Sequence, residues 1–296
     1  MLARWGFDRR LAPYVFAAPA VLIMVFGLFY PVVEAVRLSF YEVRLGEPPT
    51  PQAFRGFTIL IEALSDSSVR TSMAVTLQFS VLVVAIEMVL GVALALALEK
   101  PIRGMRAFRT LFVLPMMIAP ICVGLIWRYM FDVNVGPING WLAMFHVKPA
   151  WLADPSLAFF ALCVTDIWQF TPFVFILALA GLQGIDQSAI EAAKLDGASV
   201  LQTIRYIKIP LLAPILMITI LMRLIDALRG LEVVYAMTNG GPGLATELFS
   251  LHIYKSAFVT QRMGHSAALS VCLLVVTTAL SAALLMWSNP MRRKGG

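Results

Sequence analysis

The chain has 296 residues, of which 60% are hydrophobic and only 14% charged, with a formal net charge of +6. A soluble domain carries roughly a quarter charged residues, so this composition excludes an ordinary soluble enzyme. The positive balance is a topology signal with some attraction to anionic membrane lipid, and it makes no case for nucleic acid.

A bilayer core about 30 Å thick needs roughly 20 apolar residues per helix. Six stretches meet that demand, at 13–38, 71–98, 110–131, 156–183, 210–229 and 266–288. They lack the alternation of membrane barrel strands, so the expected fold is all-α with six transmembrane helices. Residues 1–12 carry Arg4, Arg9 and Arg10 ahead of the first stretch. That stretch outruns a signal-peptide core of about 7–15 apolar residues, so it reads as a retained helix. Next comes the 99–109 loop with Lys100, Arg103, Arg106 and Arg109, and after the fourth stretch the 184–209 loop with Lys194, Arg205 and Lys208. A basic tail, 289–296, closes the chain with Arg292, Arg293 and Lys294. These thirteen residues, of 23 Lys and Arg in all, fall in the shorter polar segments. Both termini and the 184–209 loop are therefore expected on the cytoplasmic side of a cell membrane, with residues 13–288 forming one six-helix membrane domain.

Chemistry-bearing motifs are few. There is no G-x-x-x-x-G-K-[ST] phosphate loop, no H-E-x-x-H pair and no G-x-S-x-G elbow. His146, His252 and His265 are scattered, and Cys122, Cys163 and Cys272 fall inside apolar stretches without ligand spacing, as packing residues do. The most informative segment is polar: Glu191-Ala192-Ala193-Lys194-Leu195-Asp196-Gly197-Ala198, followed by Ile207-Lys208-Ile209-Pro210. Asp186 can cap a short helix here, Ala189, Ala192 and Ala193 keep it slim, and Gly197 can take the left-handed conformation that closes it. Pro210 is expected to mark the restart of the next helix. From spacing alone, a docking element and a solvated connector are even readings of Glu191 and Asp196.

The run from Glu191 to Pro210 resembles the EAA loop of the permease subunits of binding-protein-dependent ABC importers. The resemblance covers nearly the whole chain. Arg109, Leu114-Pro115, Trp127, Phe131, Gly136 and Asn139 are similar to the pattern of the carbohydrate branch. So are Asp166-Ile167-Trp168 and Gly181-Leu182-Gln183. Thr238-Asn239-Gly240-Gly241-Pro242, with Tyr254 and Ala257-Phe258 after it, resembles the corresponding element of maltose and glycerol-phosphate type permeases. Ile204 departs from the usual Phe, an apolar-for-apolar change.

The resemblance implies a non-catalytic subunit that couples to an ATPase dimer through Glu191, Ala192, Ala193, Asp196, Gly197 and Pro210. ATP and Mg would sit on the ATPase partners, and no cofactor or metal is expected in this chain. A second, homologous permease would complete the path. A periplasmic or lipid-anchored sugar-binding protein would dock outside, where Asn239, Gly240, Gly241 and Pro242 lie. Substrate contacts map to Asp166, Gln169, Phe170 and Phe173 on the fourth helix and to Arg223, Asp226, Ala227 and Gly230 on the fifth. Each set is spaced i, i+3, i+4, i+7 and so shares one helical face. Phe170 and Phe173 could stack on a sugar ring, and Arg223 raises an anionic sugar as cargo. The charges equally suit a structural pair of Arg223 with Asp166 or Asp226. The competing function is a secondary transporter or channel that moves protons or ions through the same charges.

Overall fold

The computed structural model describes residues 12–99 and 104–293. Arg4, Arg9, Arg10, Lys100, Arg103 and Lys294 of the expected basic segments lie outside the described residues. Among the described residues, five helices are long and apolar enough to cross a membrane: α1 (Pro13–Leu38), α3 (Ser67–Ala97), α7 (Pro155–Gln183), α9 (Val200–Arg229) and α12 (Met263–Met286, continuing to Arg293). Short helices join them: α2 (Thr58–Ser65), α6 (Pro137–Leu142), α8 (Gln187–Leu195), α10 (Glu232–Met237) and α11 (Phe249–Phe258).

The third expected span, 110–131, is not a continuous helix. It divides into α4 (Met105–Met117) and α5 (Pro120–Met130), bent by 96°. Pro120 supplies no N–H, and the residue before a proline is driven out of the helical region. Ala119 accordingly leaves the helical region with ψ of 132°, and Ile118 before it is extended with ψ of 135°. Counting the bent pair as one span makes six.

The fifth span also differs from expectation. The helix starts at Val200, ten residues before Pro210, under a capping box in which Ser199 and Gln202 satisfy each other's backbone N–H. Pro210 does not restart it. The turn Ile204–Lys208 just before the proline widens to a π-helix, and such a wide turn accommodates a residue that cannot donate. The same device precedes Pro31, where Val25–Phe29 is π-helical.

The chain divides into two compact units, Met1–Ser65 with Ile253–Leu274, and Asp66–His252 with Val275–Gly296. In the first, a single bridge pairs Tyr41 with Phe54, and the Gly264 N–H donates to the Val43 carbonyl at 3.1 Å. A Cβ on Gly264 would lie 1.8 Å from the Tyr41 carbonyl oxygen, so no other residue fits there.

The second unit is built on α3, α7 and α9. Gly91 of α3 lets its backbone approach Val174 and Phe175 of α7, the small-residue contact by which helices pack in lipid. Ala95, Phe175, Ala178, Leu179, Leu182, Ile185, Ile190 and Leu212 form one buried cluster. That cluster ties α8, through Ile190, to three spans. Asp154 caps α7 by accepting from the Ser156 and Leu157 N–H groups at 2.9 and 3.0 Å.

Candidate functional site

A cavity of about 500 Å³ opens beside the C-terminal end of α9. Its wall includes Phe79, Asp166, Phe170, Asp226, Arg229, Gly230, Glu232 and Leu248. Of the eight residues expected to meet substrate, Asp166, Phe170, Asp226 and Gly230 line this cavity. Gln169, Phe173, Arg223 and Ala227 are not on its wall.

Gln169 is buried and donates from Nε2 to the carbonyl of Ile118, 3.3 Å away. That carbonyl belongs to the break between α4 and α5, where the helical ladder is interrupted. Gln169 thus satisfies a backbone group that the bend would otherwise leave unpaired in a lipid-surrounded interior.

Arg223 is 2% exposed and holds three carboxylates. Its Nε donates to Glu87 Oε2 at 2.7 Å, and Nη2 donates to Glu87 Oε1 at 2.9 Å and to Asp166 Oδ2 at 2.8 Å. Nη1 donates to Asp226 Oδ2 at 2.6 Å. The ring of Phe170 covers the guanidinium, its centroid 3.9 Å from Cζ, within cation–π range. Both pairings considered from the sequence, with Asp166 and with Asp226, are present at once. Burial of so many charges is tolerated only with such mutual satisfaction.

Glu87 was missed by sequence reasoning. It is fully buried on α3 and takes Arg223 in a bidentate grip, the strongest carboxylate–guanidinium geometry. The signal was available, because Glu87 is the sole charged residue in the 71–98 apolar stretch, and a lone intramembrane charge implies a partner.

The polar loop after α7 is ordered locally. Asp186 accepts from the Ser188 N–H at 3.0 Å and caps α8. Bonds from the Ser188 hydroxyl and N–H hold the Asp186 carboxyl below the usual aspartate range. Gly197 closes the helix at φ +76°, the left-handed region that favours glycine. Glu191, Ala192, Asp196 and Gly197 are exposed, whereas Ala193 is buried against the protein. Leu195, Val200, Leu201 and Tyr206 form an exposed apolar rim, with Leu195 89% exposed. Lys208, nearly buried, reaches Glu99 just past the end of α3, Nζ to Oε1 2.5 Å.

The segment after α10 folds back on itself. Asn239 and Gly240 take positive φ, and the Gly241–Pro242 peptide is cis. The buried Thr246 hydroxyl lies 2.7 Å from the Thr238 hydroxyl and 2.8 Å from the Gly241 carbonyl. Asn239 stays exposed while Gly240 is buried. Nearer the bent pair, Asn139 is buried, accepts from the Trp151 indole at 2.9 Å and donates to the Pro149 carbonyl at 3.0 Å. Those bonds pin the loop that joins α6 to α7.

A bundle of apolar spans with a cavity between them that carries a few charged side chains, and an exposed, capped helix on an inter-span loop, defines a multi-pass membrane transport component. Residues 87–292 match the family described as binding-protein-dependent transport system inner membrane component, and the chain belongs to that family. It is a non-catalytic, multi-pass inner-membrane permease component.

The chain is 35% identical over 239 residues to the trehalose/maltose transport system permease protein MalF of Thermococcus litoralis, covering 80% of each. It is 32% identical to the sn-glycerol-3-phosphate transport system permease protein UgpA of Agrobacterium fabrum, covering 93% of this chain and 94% of that one. Among solved structures, a bacterial ABC transporter involved in import of the acidic polysaccharide alginate superposes with a TM-score of 0.84 at 20% identity. The match covers 95% of this chain and 96% of that one, and it carries the fold. Membership of this family sets aside the secondary transporter and the channel.

Proposed function

We propose that this chain is one of two permeases enclosing the path of an ATP-driven importer for a sugar or sugar derivative. A periplasmic or extracellular binding protein delivers the cargo, and an ATPase dimer drives the cycle. The observation that carries the coupling half of this reading is the capped helix α8, with exposed Leu195 at its end and exposed Val200, Leu201 and Tyr206 in the first turns of α9. Exposed apolar side chains on the segment that carries exposed Glu191 suit a docking surface, and Ile190 roots α8 in the core of α3, α7 and α9. A push on α8 therefore reaches the helices that line the cavity, as a rigid-body switch between inward-facing and outward-facing states requires.

Both termini and the α7–α9 loop lie on the cytoplasmic side in this reading, by the distribution of Lys and Arg. The loops within 39–70, 132–155 and 230–265 face the binding protein, with Asn239–Pro242 among the contacts. Support for a carbohydrate comes from the relatives' names and from a cavity that pairs the Phe170 ring with the carboxylates of Asp166, Asp226 and Glu232. An anionic cargo, suggested by Arg223 in the sequence, is not part of this reading, because the guanidinium is already held by three carboxylates.

The test is ATP-dependent sugar uptake by proteoliposomes holding the whole assembly. Glu191→Lys should abolish uptake and ATPase retention while the chain still inserts in the membrane. Normal uptake by that variant would remove the coupling role, and uptake driven by a proton gradient without ATP would remove the proposal.

A further inference from the structure

A guanidinium has five N–H donors, and Arg223 makes four hydrogen bonds to carboxylates, two of them to Glu87. One face of the group lies under Phe170. Glu87 approaches from α3, fully buried, and is not on the cavity wall. The wall instead presents Asp166, Asp226 and Glu232, with Arg229 as its one basic residue. Asp226 has a side chain 60% exposed, so a carboxylate and not the guanidinium is what a cargo molecule meets.

We propose that Glu87 determines the charge class of the cargo. By occupying the Nε–Nη2 edge of Arg223, it takes the buried cation out of use and leaves the carboxylates in excess. Sugar hydroxyls donate well to carboxylates, whereas a phosphate or uronate brought beside them meets like charge in a poorly screened interior. The cavity therefore takes neutral polyhydroxylated cargo and rejects its anionic counterparts. This rests on the carbohydrate reading above and adds the residue that selects within it. Arg223 acts as a positioning residue that fixes Asp166 and Asp226, and Glu87 acts through it.

The experiment uses the whole assembly, purified in detergent without the binding protein, so that its selectivity does not mask the cavity. Thermal unfolding is followed against a panel of neutral mono- and disaccharides and their 6-phosphates. In the wild type, a neutral sugar should raise the midpoint, and its 6-phosphate should need at least a hundredfold higher concentration for the same shift. Glu87→Gln should narrow that ratio at least tenfold, and Glu87→Asp should restore it. In parallel, phenylglyoxal modification of Arg223, read by mass spectrometry, should be absent in the wild type and Glu87→Asp and present in Glu87→Gln. Should Glu87→Gln fail to assemble, Asp226→Asn removes an exposed carboxylate and should also narrow the ratio.

A wild type that takes both sugar classes alike, or a ratio unmoved by Glu87→Gln with Arg223 still unreactive, would overturn the assignment. The carbohydrate reading fails separately, when no neutral sugar shifts the wild type and ATP-dependent uptake of the panel is also absent.

Discussion

Replacing Gly91 by alanine probes the contact between α3 and α7 on which the charged cluster depends. The added Cβ would lie 2.6 Å from both Cβ and Cγ1 of Val174, and 3.0 Å from the Phe175 backbone nitrogen. Carbon–carbon contacts are comfortable at about 3.5–4.0 Å, so roughly 1 Å of separation has to be found. Neither neighbour can supply it alone. Val174 is fully buried and β-branched, with one strongly preferred rotamer in a helix, and the Phe175 nitrogen is part of the α7 backbone. The helices must move apart, which places the change at the upper end of the usual overpacking cost, about 2–3 kcal/mol.

Two other glycines calibrate the effect. At Gly181 the new methyl would meet Leu212 Cδ2 at 2.6 Å and Ile215 Cδ1 at 2.8 Å. Those are flexible side-chain ends, so Gly181→Ala should cost about 1 kcal/mol. Gly140 has nothing within 4 Å, and Gly140→Ala in α6 should be neutral or gain about 0.5 kcal/mol from lower chain entropy. The assay is SDS-titrated unfolding in mixed micelles followed by circular dichroism. Gly91 also lies one helical turn beyond Glu87, so Gly91→Ala should loosen the Glu87–Arg223 grip and lower uptake. If Gly91→Ala unfolds together with Gly140→Ala, the close α3–α7 packing is not what holds this unit together.

Reversing Lys208 to Glu breaks the pair with Glu99, a charge-assisted bond of about 1.5–3 kcal/mol joining the π turn of α9 to the residues just past α3. ATP hydrolysed per sugar imported should rise sharply, and the exchanged pair Glu99→Lys with Lys208→Glu should bring it back; a double variant as uncoupled as the single one would refute the link. Gly197→Ala forces a Cβ into a left-handed backbone at a cost of about 1–2 kcal/mol, and uptake should fall while insertion is unchanged. The Asp186 cap is a carboxyl depressed in the folded state, so its stabilisation is full above the usual aspartate range. It is lost only as pH falls through the lower folded value. Hydrogen exchange at the start of α8 should be slow at neutral pH and quicken in acid for the wild type, whereas Asp186→Ala should be fast throughout.

What the chain order alone determined is whatever depends on neighbours in sequence. Long apolar runs revealed the spans because a bilayer requires some 20 such residues in a row. The Asp186 cap and the Gly197 stop were legible because capping is a matter of a few adjacent residues. Proline was the ambiguous local sign. Pro120 broke a span that hydropathy had made continuous, while Pro210, read as a helix start, was absorbed by a π turn. A missing N–H can be met by a bend or by a wider turn, and packing chooses between them.

The polar interior was decided by the tertiary structure. Periodicity grouped Asp166 with Gln169 and Arg223 with Asp226, each pair on one helical face, but only Asp166 and Asp226 line the cavity. It could not reveal that Gln169 would close a backbone break on α4, or that Glu87, 136 residues before Arg223, would hold its guanidinium. A charge buried away from water takes whatever partner the packed helices bring within about 3 Å, and that distance is a property of the assembled bundle and not of any one segment.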